Sequence, residues 1–280
     1  MTILGVLGLA ASSLASDVLV DNGSWITHPG AGFGGADASV LPFTSGATTF
    51  GFGHQVSAGH RISDDFVVPA TWTLERVHVY AFQLNSGTSS TITGVNLRIW
   101  NGPPGKPGSS IVFGDTSTNR MISTAFTGVY RVADHLLANT QRPVMRQTVD
   151  LGGVVLEPGT YWLDWQSSGT LASGPLAPPV TSPGFIPVGN ARQYDAFQAD
   201  WKPATDGGLG INVAIPFILE GTSGGVCYAD CEGDGDVDIF DFLCFQGEYA
   251  GKSSYSDCEG DGDWDVFDFL CFQSAYSTGC

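Results

Sequence analysis

The stretch DCEGDGDVDIFDFLCFQ, Asp230 to Gln246, is written again as DCEGDGDWDVFDFLCFQ, Asp257 to Gln273, 27 residues further on. That repeat divides the chain into two parts of different chemistry. Between Cys227 and Cys280 stand 13 Asp and Glu against the single Lys252, so −12 of the formal −17 lies in this tail. All six cysteines (Cys227, Cys231, Cys244, Cys258, Cys271 and Cys280) fall there too. The rest of the chain carries only −5 and no cysteine, and it is long enough to bury a sizeable core of its own. So acidic a chain lacks the basic surface that phosphate neutralisation needs, which excludes nucleic-acid binding.

Numbered from Asp230, the first copy offers carboxylates at positions 1 (Asp230), 3 (Glu232), 5 (Asp234), 9 (Asp238) and 12 (Asp241). Gly235 stands at the sharp turn of position 6, and Asp236 at 7 offers its backbone carbonyl. The second copy sets Asp257, Glu259, Asp261, Gly262, Asp263, Asp265 and Asp268 in the same places. This is the spacing of a calcium loop, in which alternate residues turn oxygens towards one hard cation. A merely solvated acidic tail needs no glycine at 6 in both copies and no apolar residue at 8 (Val237, Trp264). Nor does it need the same helix-starting run, FDFLCFQ, after each loop. Two calcium ions are therefore expected. Zinc is rejected, because the tail has neither a Cys-x-x-Cys pair nor a histidine.

Ordinary EF-hands carry a helix on both sides of the loop and end in a bidentate Glu. Here the residues before Asp230 are SGGVCYA, and position 12 is Asp. Tandem calcium loops, each followed by one helix and ending in Asp, resemble the dockerin type I module over residues 227–280. The resemblance implies two loop–helix units packed in pseudo-twofold fashion around Val237, Phe242, Phe245, Trp264, Phe269 and Phe272. It also implies a cohesin-like or other surface receptor as partner. Positions 10 and 11, commonly small or polar in that family, are Ile239–Phe240 and Val266–Phe267 here, and position 3 is Glu. The cysteines match the variant ending in Gly-Cys that occurs on secreted bacterial proteins outside cellulase assemblies. With Phe242 and Phe245 assigned to the core, Phe240 and Phe267 are expected to form two similar exposed aromatic patches that engage the receptor.

Four cysteines repeat with the loops, Cys231 with Cys258 and Cys244 with Cys271. Cys227 and Cys280 bracket the module and are expected to pair as a clasp. Pairing among the inner four stays open, since all three arrangements respect the repeat. So small a module has a thin core and needs disulfides or metal to stay folded.

The larger part, residues 16–222, is joined to the tail by a linker at 223–226 and reads as strand and turn. Alternating runs cover Thr73 to Leu84, Thr93 to Trp100, Arg146 to Leu156 and Gly159 to Gln166, separated by clusters such as NGPPGKPGSS. VADHLLANTQ, Val132 to Gln141, is the one candidate helix. The expected fold is mainly β, an antiparallel β-sandwich of jelly-roll type, followed by the small helical two-calcium-loop module. Residues 1–15 have the apolar run and small residues of a secretory signal but no basic start. With the cysteine-dense tail they predict export, and no run is long enough for a membrane span.

No catalytic motif stands out in the sandwich, so a non-enzymatic cargo displayed through the tail is expected. His60, Asp64 and Asp65 form the only local cluster of metal or acid–base type, and its plain reading is a surface histidine beside a turn entering the next strand. Glu75, Asp150, Glu157, Asp164, Asp195, Asp200 and Glu220 are candidate carboxylates for the alternative, an exported polysaccharide-active enzyme. Trp25, Trp72, Trp100, Trp162, Trp165 and Trp201 are candidates for a sugar platform in a carbohydrate-binding protein, set against the plain reading that such large aromatics are core. Alternation in YWLDWQ turns Tyr161, Leu163 and Trp165 to the core and makes Trp162 the surface candidate.

Overall fold

The computed structural model describes residues 16–223, 228–233 and 237–278. The signal segment 1–15, the Cys227 and Cys280 pair, and Asp234 and Asp236 lie outside them. The chain divides into two compact units between Thr222 and Ser223, the smaller also taking in the short segments Val67–Thr73 and Val155–Thr160.

The strands run β1 (Asp17–Asp21), β2 (Asp37–Leu41), β3 (Phe52–Gly53), β4 (Arg61–Val68), β5 (Trp72–Ala81), β6 (Ile92–Trp100) and β7 (Ile111–Gly114). They continue as β8 (Met121–Ala133), β9 (Pro143–Leu156), β10 (Gly159–Gly169), β11 (Leu176–Ala177), β12 (Arg192–Asp195), β13 (Asp200–Pro203) and β14 (Phe217–Ser223). One sheet has the order β1-β14-β5-β9-β8-β2, a second β13-β12-β4-β10-β6-β7, and β3 pairs with β11 in a two-stranded ribbon. The two large sheets face each other. Phe217 of the first meets Trp165 and Phe66 of the second, with ring centroids 6.3 and 6.2 Å away, and Ser167 Oγ donates to Gln147 Oε1 at 2.6 Å across the interface. The described strand ladders are antiparallel except at one edge, where β2 runs parallel to β8, and an isolated bridge also joins Gln55 to Ser167 in parallel.

The four long runs read from alternation are β5, β6, β9 and β10, with ends shifted by a few residues. Their inward residues, among them Val77 and Val79 of β5, Val95 and Leu97 of β6, Met145 and Val149 of β9, and Leu163 and Trp165 of β10, are buried. Each such side chain contributes about 1.5–3 kcal/mol on leaving water.

Three expectations are corrected. Val132 to Gln141 is no helix: β8 runs to Ala133, and single turns follow, Leu136 N–H to Ala133 O and Asn139 N–H to Leu136 O. The Asp134 carboxylate is held by the Thr44 N–H at 2.9 Å, which ties this segment to a distant loop. Trp162 is not on the surface but 6 % exposed, because β10 is central and both its faces are covered. Asp64 and Asp65 do not form a turn but lie inside β4, with Asp64 buried.

The smaller unit holds α1 (Ile239–Ala250) and α2 (Val266–Thr278). Asp238 caps α1 by accepting the Phe240 N–H at 2.8 Å, and Asp241 reaches back to the Asp238 N–H at 2.8 Å. Asp265 and Asp268 make the same pair of bonds to Phe267 and Asp265, each at 2.8 Å.

Candidate functional site

The two tail copies are built alike and touch each other through equivalent residues. Disulfides join Cys231 to Cys244 and Cys258 to Cys271, with Cα atoms 5.8 and 5.9 Å apart, so each loop is stapled to the helix that follows it. Of the three arrangements compatible with the repeat, the one within each copy is used, and it leaves no thiolate among these four for zinc. Phe245 stacks on Phe272 at 4.0 Å with the rings 10° from parallel, and both are buried. Phe242 meets Phe269 at 6.0 Å, and Tyr228 stacks on Tyr255 at 5.0 Å. The Tyr228 hydroxyl donates to the Tyr255 carbonyl at 2.7 Å, and the Tyr255 hydroxyl donates to the Tyr228 carbonyl. Each of these pairs is separated by the repeat length, and the tyrosine bonds are reciprocal. A translation cannot produce that reciprocity; a local twofold axis can. The tyrosines were legible in the sequence, since both stand two places before the first loop aspartate.

In the second loop, the Asp257 carboxylate accepts the N–H groups of Asp261 and Gly262 at 3.1 and 3.0 Å. Asp261 accepts the Asp263 N–H at 2.9 Å, and the buried Asp268 accepts that of Cys258 at 2.9 Å. In the first, Asp230 accepts the Gly233 N–H at 2.7 Å and the buried Asp241 that of Glu232 at 3.3 Å. Gly262 has φ +85°, the left-handed backbone that makes glycine the suitable residue at position 6. Desolvation, then the negative charges of Asp261, Asp265, Asp268 and Asp257, push the Glu259 carboxyl above its usual range. Burial opposes the Asp241 charge, but the N–H groups of Asp238, Glu232 and Cys231 outweigh it and hold that carboxyl low. Lys252, the tail's only basic residue, lies 5.8 Å from the Trp264 ring centroid.

Among the described residues, no three His, Cys, Asp or Glu side chains converge closely enough to hold a metal ion. The second-loop carboxylates are turned onto the loop's own N–H groups instead. The donor set is made of oxygens alone, the ligand type that suits a hard cation. Beside the loops, Phe240 and Phe267 are 57 % and 58 % exposed. Ile239 and Leu243 extend the first patch, and Val266 and Leu270 the second, all exposed.

The sandwich candidates are occupied in structural bonds. Asp164 is buried between Arg61, whose Nε donates at 2.6 Å, and Arg98 and Trp100, whose Nε and Nε1 each donate at 2.9 Å. Asp64 accepts from Ile215 N–H at 2.7 Å and Asn22 Nδ2 at 2.9 Å, and burial pushes its carboxyl up to about 7. Glu220 is held by His78 Nε2 at 2.9 Å and Arg76 Nε at 3.0 Å. Asp150 accepts the Gly152 N–H and Asp195 the Phe197 N–H, both at 2.9 Å, which is turn chemistry. Glu75 lies 3.7 Å from Arg76, Thr71 donates to Glu157 at 2.9 Å, and Asp200, an exposed residue, pairs with Asp195 only through the backbone register of the β12–β13 ladder. His60 stands apart from Asp64 in role, accepting the Ala196 N–H at 3.3 Å beside the exposed Phe197.

A histidine–serine contact occurs where the sequence suggested none. His54 Nε2 lies 3.1 Å from Ser167 Oγ, but the serine hydroxyl donates to Gln147, and all three residues are fully buried. Burial lowers the His54 pKa to about 4. A pair sealed from substrate, with its proton committed elsewhere, is core polar packing. The tryptophan platform is also overturned: Trp25, Trp72, Trp162, Trp165 and Trp201 are buried, and Trp100 is engaged with Asp164. Among the described residues, no helix is long and apolar enough to cross a membrane. No protein-family model, curated protein or solved structure matches the chain.

Proposed function

We propose that this chain is a secreted, non-enzymatic protein whose β-sandwich is attached to a surface receptor through a calcium-dependent, dockerin-like tail. The observation that carries this reading is the reciprocal contact of the two loop–helix copies, which makes the tail a twofold module with its loops and apolar patches in duplicate. Asp230, Glu232, Asp234, Asp238 and Asp241 would hold one calcium ion, and Asp257, Glu259, Asp261, Asp265 and Asp268 the other, with the carbonyls of Asp236 and Asp263 completing each set. The ion would neutralise carboxylates that otherwise repel, and its binding would add to folding stability. The exposed Phe240 and Phe267 are the surfaces offered to a cohesin-like receptor. Disulfides in the tail support an oxidising, extracellular setting. Alternation of β4, β5 and β6 between the two sheets supports the jelly-roll reading of the sandwich.

Calorimetric titration of the full chain with calcium should give two sites, and Asp257→Ala with Asp268→Ala should leave one. A stoichiometry of zero sinks the reading. With calcium present, Phe240→Ala or Phe267→Ala alone should weaken capture of the producing cell's envelope receptor slightly, and the double variant should abolish it. Undiminished capture by a folded, calcium-bound double variant would refute the patch assignment.

A further inference from the structure

Closed to any outside substrate, the buried His54–Ser167 pair is packed against a reactive group of the chain itself, the Gln147 carboxamide. Ser167 lies on β10 of the second sheet and Gln147 on β9 of the first, 20 residues apart in the chain, with Oγ 2.6 Å from Oε1. The carbon that Oγ would attack is one bond from that oxygen. His54 directly follows β3 and is held through its backbone. Its N–H donates to the Pro175 carbonyl at 3.2 Å, and its own carbonyl accepts the Ser167 N–H at 2.9 Å. All three residues are 0 % exposed.

His54 Nδ1 lies 3.2 Å from the Phe52 carbonyl, which can only accept, so Nδ1 carries the ring proton. Nε2, 3.1 Å from Ser167 Oγ, therefore presents its lone pair to the hydroxyl. Burial keeps the ring neutral, so that lone pair stays free. The Gln147 Nε2 amide is buried and makes no hydrogen bond among the described residues, a costly state for a donor. A half-turn of the carboxamide exchanges its oxygen and nitrogen without moving the carbon. Nε2 then donates to Ser167 Oγ, and the hydroxyl turns its own proton to His54. Trp165 leaves the same face of β10 two residues away, and its ring meets that of His54 at 6.4 Å. Its Nε1–H is buried and also makes no hydrogen bond among the described residues, an uncommitted donor beside the site.

We propose that Ser167 Oγ and Gln147 Cδ join in an ester, a covalent bond between the two sheets of a sandwich that holds no cysteine. Oγ attacks Cδ as its proton passes to His54 Nε2. The imidazolium returns that proton to the amide nitrogen as the Cδ–N bond breaks, and ammonia leaves. One C–O bond forms and one C–N bond breaks, with no oxidant or reductant. Fixed neighbours supply the high effective concentration that such a reaction needs, and exclusion of water protects the product from hydrolysis. Losing ammonia to solvent also removes an unsatisfied buried donor. Every group belongs to the sandwich, so the bond does not depend on the calcium reading of the tail.

Intact-mass spectrometry on the folded full chain, reduced and denatured just before measurement, should show it lighter by one ammonia than its sequence requires. Chymotryptic cleavage after Tyr161 and Trp162 should leave the Gln147 and Ser167 peptides joined, and hydroxylamine, which cleaves esters, should part them. Ser167→Ala removes one oxygen from the core and should keep the full mass. His54→Gln, refolded beside the wild type, should lose ammonia at least about a hundredfold more slowly, and an equal rate would overturn the part given to the histidine. A folded wild type of full mass, or a loss of ammonia that persists in Ser167→Ala, overturns the proposal.

Discussion

Replacing Asp164 by Asn keeps the shape of the side chain and removes the negative charge held between the Arg61 and Arg98 guanidinium groups. Asp164 and Arg61 are essentially sealed from water, with side chains 0 % and 4 % exposed, while Arg98 is 18 % exposed. Desolvation already lowers the Arg61 pKa, and the attraction of Asp164 is the largest influence opposing it. Breaking a buried ion pair by neutralising one partner costs about 3–5 kcal/mol, because the other charge stays buried and uncompensated. Arg98 can turn part of its charge to water, which places Asp164→Asn near the lower end, about 3–4 kcal/mol. For a body of this size each kcal/mol moves the melting temperature by about 2–4 °C, so a drop of roughly 10 °C is expected in the calorimetric transition of the sandwich. Adding Arg61→Met should recover part of the loss, since the stranded cation is then gone. A drop under about 2 °C for the single variant, or a double variant no more stable than Asp164→Asn alone, would refute the reasoning.

Asp206 accepts the N–H groups of Thr48, Thr49, Gly208 and Leu209 at 3.1, 2.8, 3.0 and 2.8 Å, clasping two loops. Burial opposes its charge, but the four N–H groups together hold its carboxyl below the usual range. Asp206→Ala should therefore cost about 2–4 kcal/mol at neutral pH. A depressed folded pKa gives stability that is present above the unfolded value near pH 4 and lost as pH falls through the folded one. Wild type and variant should thus converge on acidification, and a gap that widens at low pH in denaturant titrations would count against the assignment. Reduction should melt α1 and α2 without moving the sandwich transition, because each tail disulfide closes a short loop worth roughly 3 kcal/mol and residues 16–222 contain no cysteine. Helical circular dichroism that survives complete reduction contradicts this.

The amino-acid order alone determined what is local. Alternation placed β5, β6, β9 and β10, because a half-buried strand needs period two whatever it packs against. The tail repeat marked two like units with their loop spacing, and the exposure of Phe240 and Phe267 was legible from it. Only the tertiary structure decided which cysteines pair, since the repeat is symmetric under every arrangement and the distance between Cys231 and Cys244 is a property of the fold. It also decided the fate of Trp162, because alternation says that a side chain leaves one face of a strand but not whether another segment covers that face. Asp64 looked like turn chemistry because nothing beside it in sequence reveals Asn22 and Ile215, which supply its hydrogen bonds from far along the chain. The meeting of His54, Gln147 and Ser167 was invisible for the same reason: it joins strands of two facing sheets to a segment remote in the chain, and no short motif encodes a contact made across a sandwich.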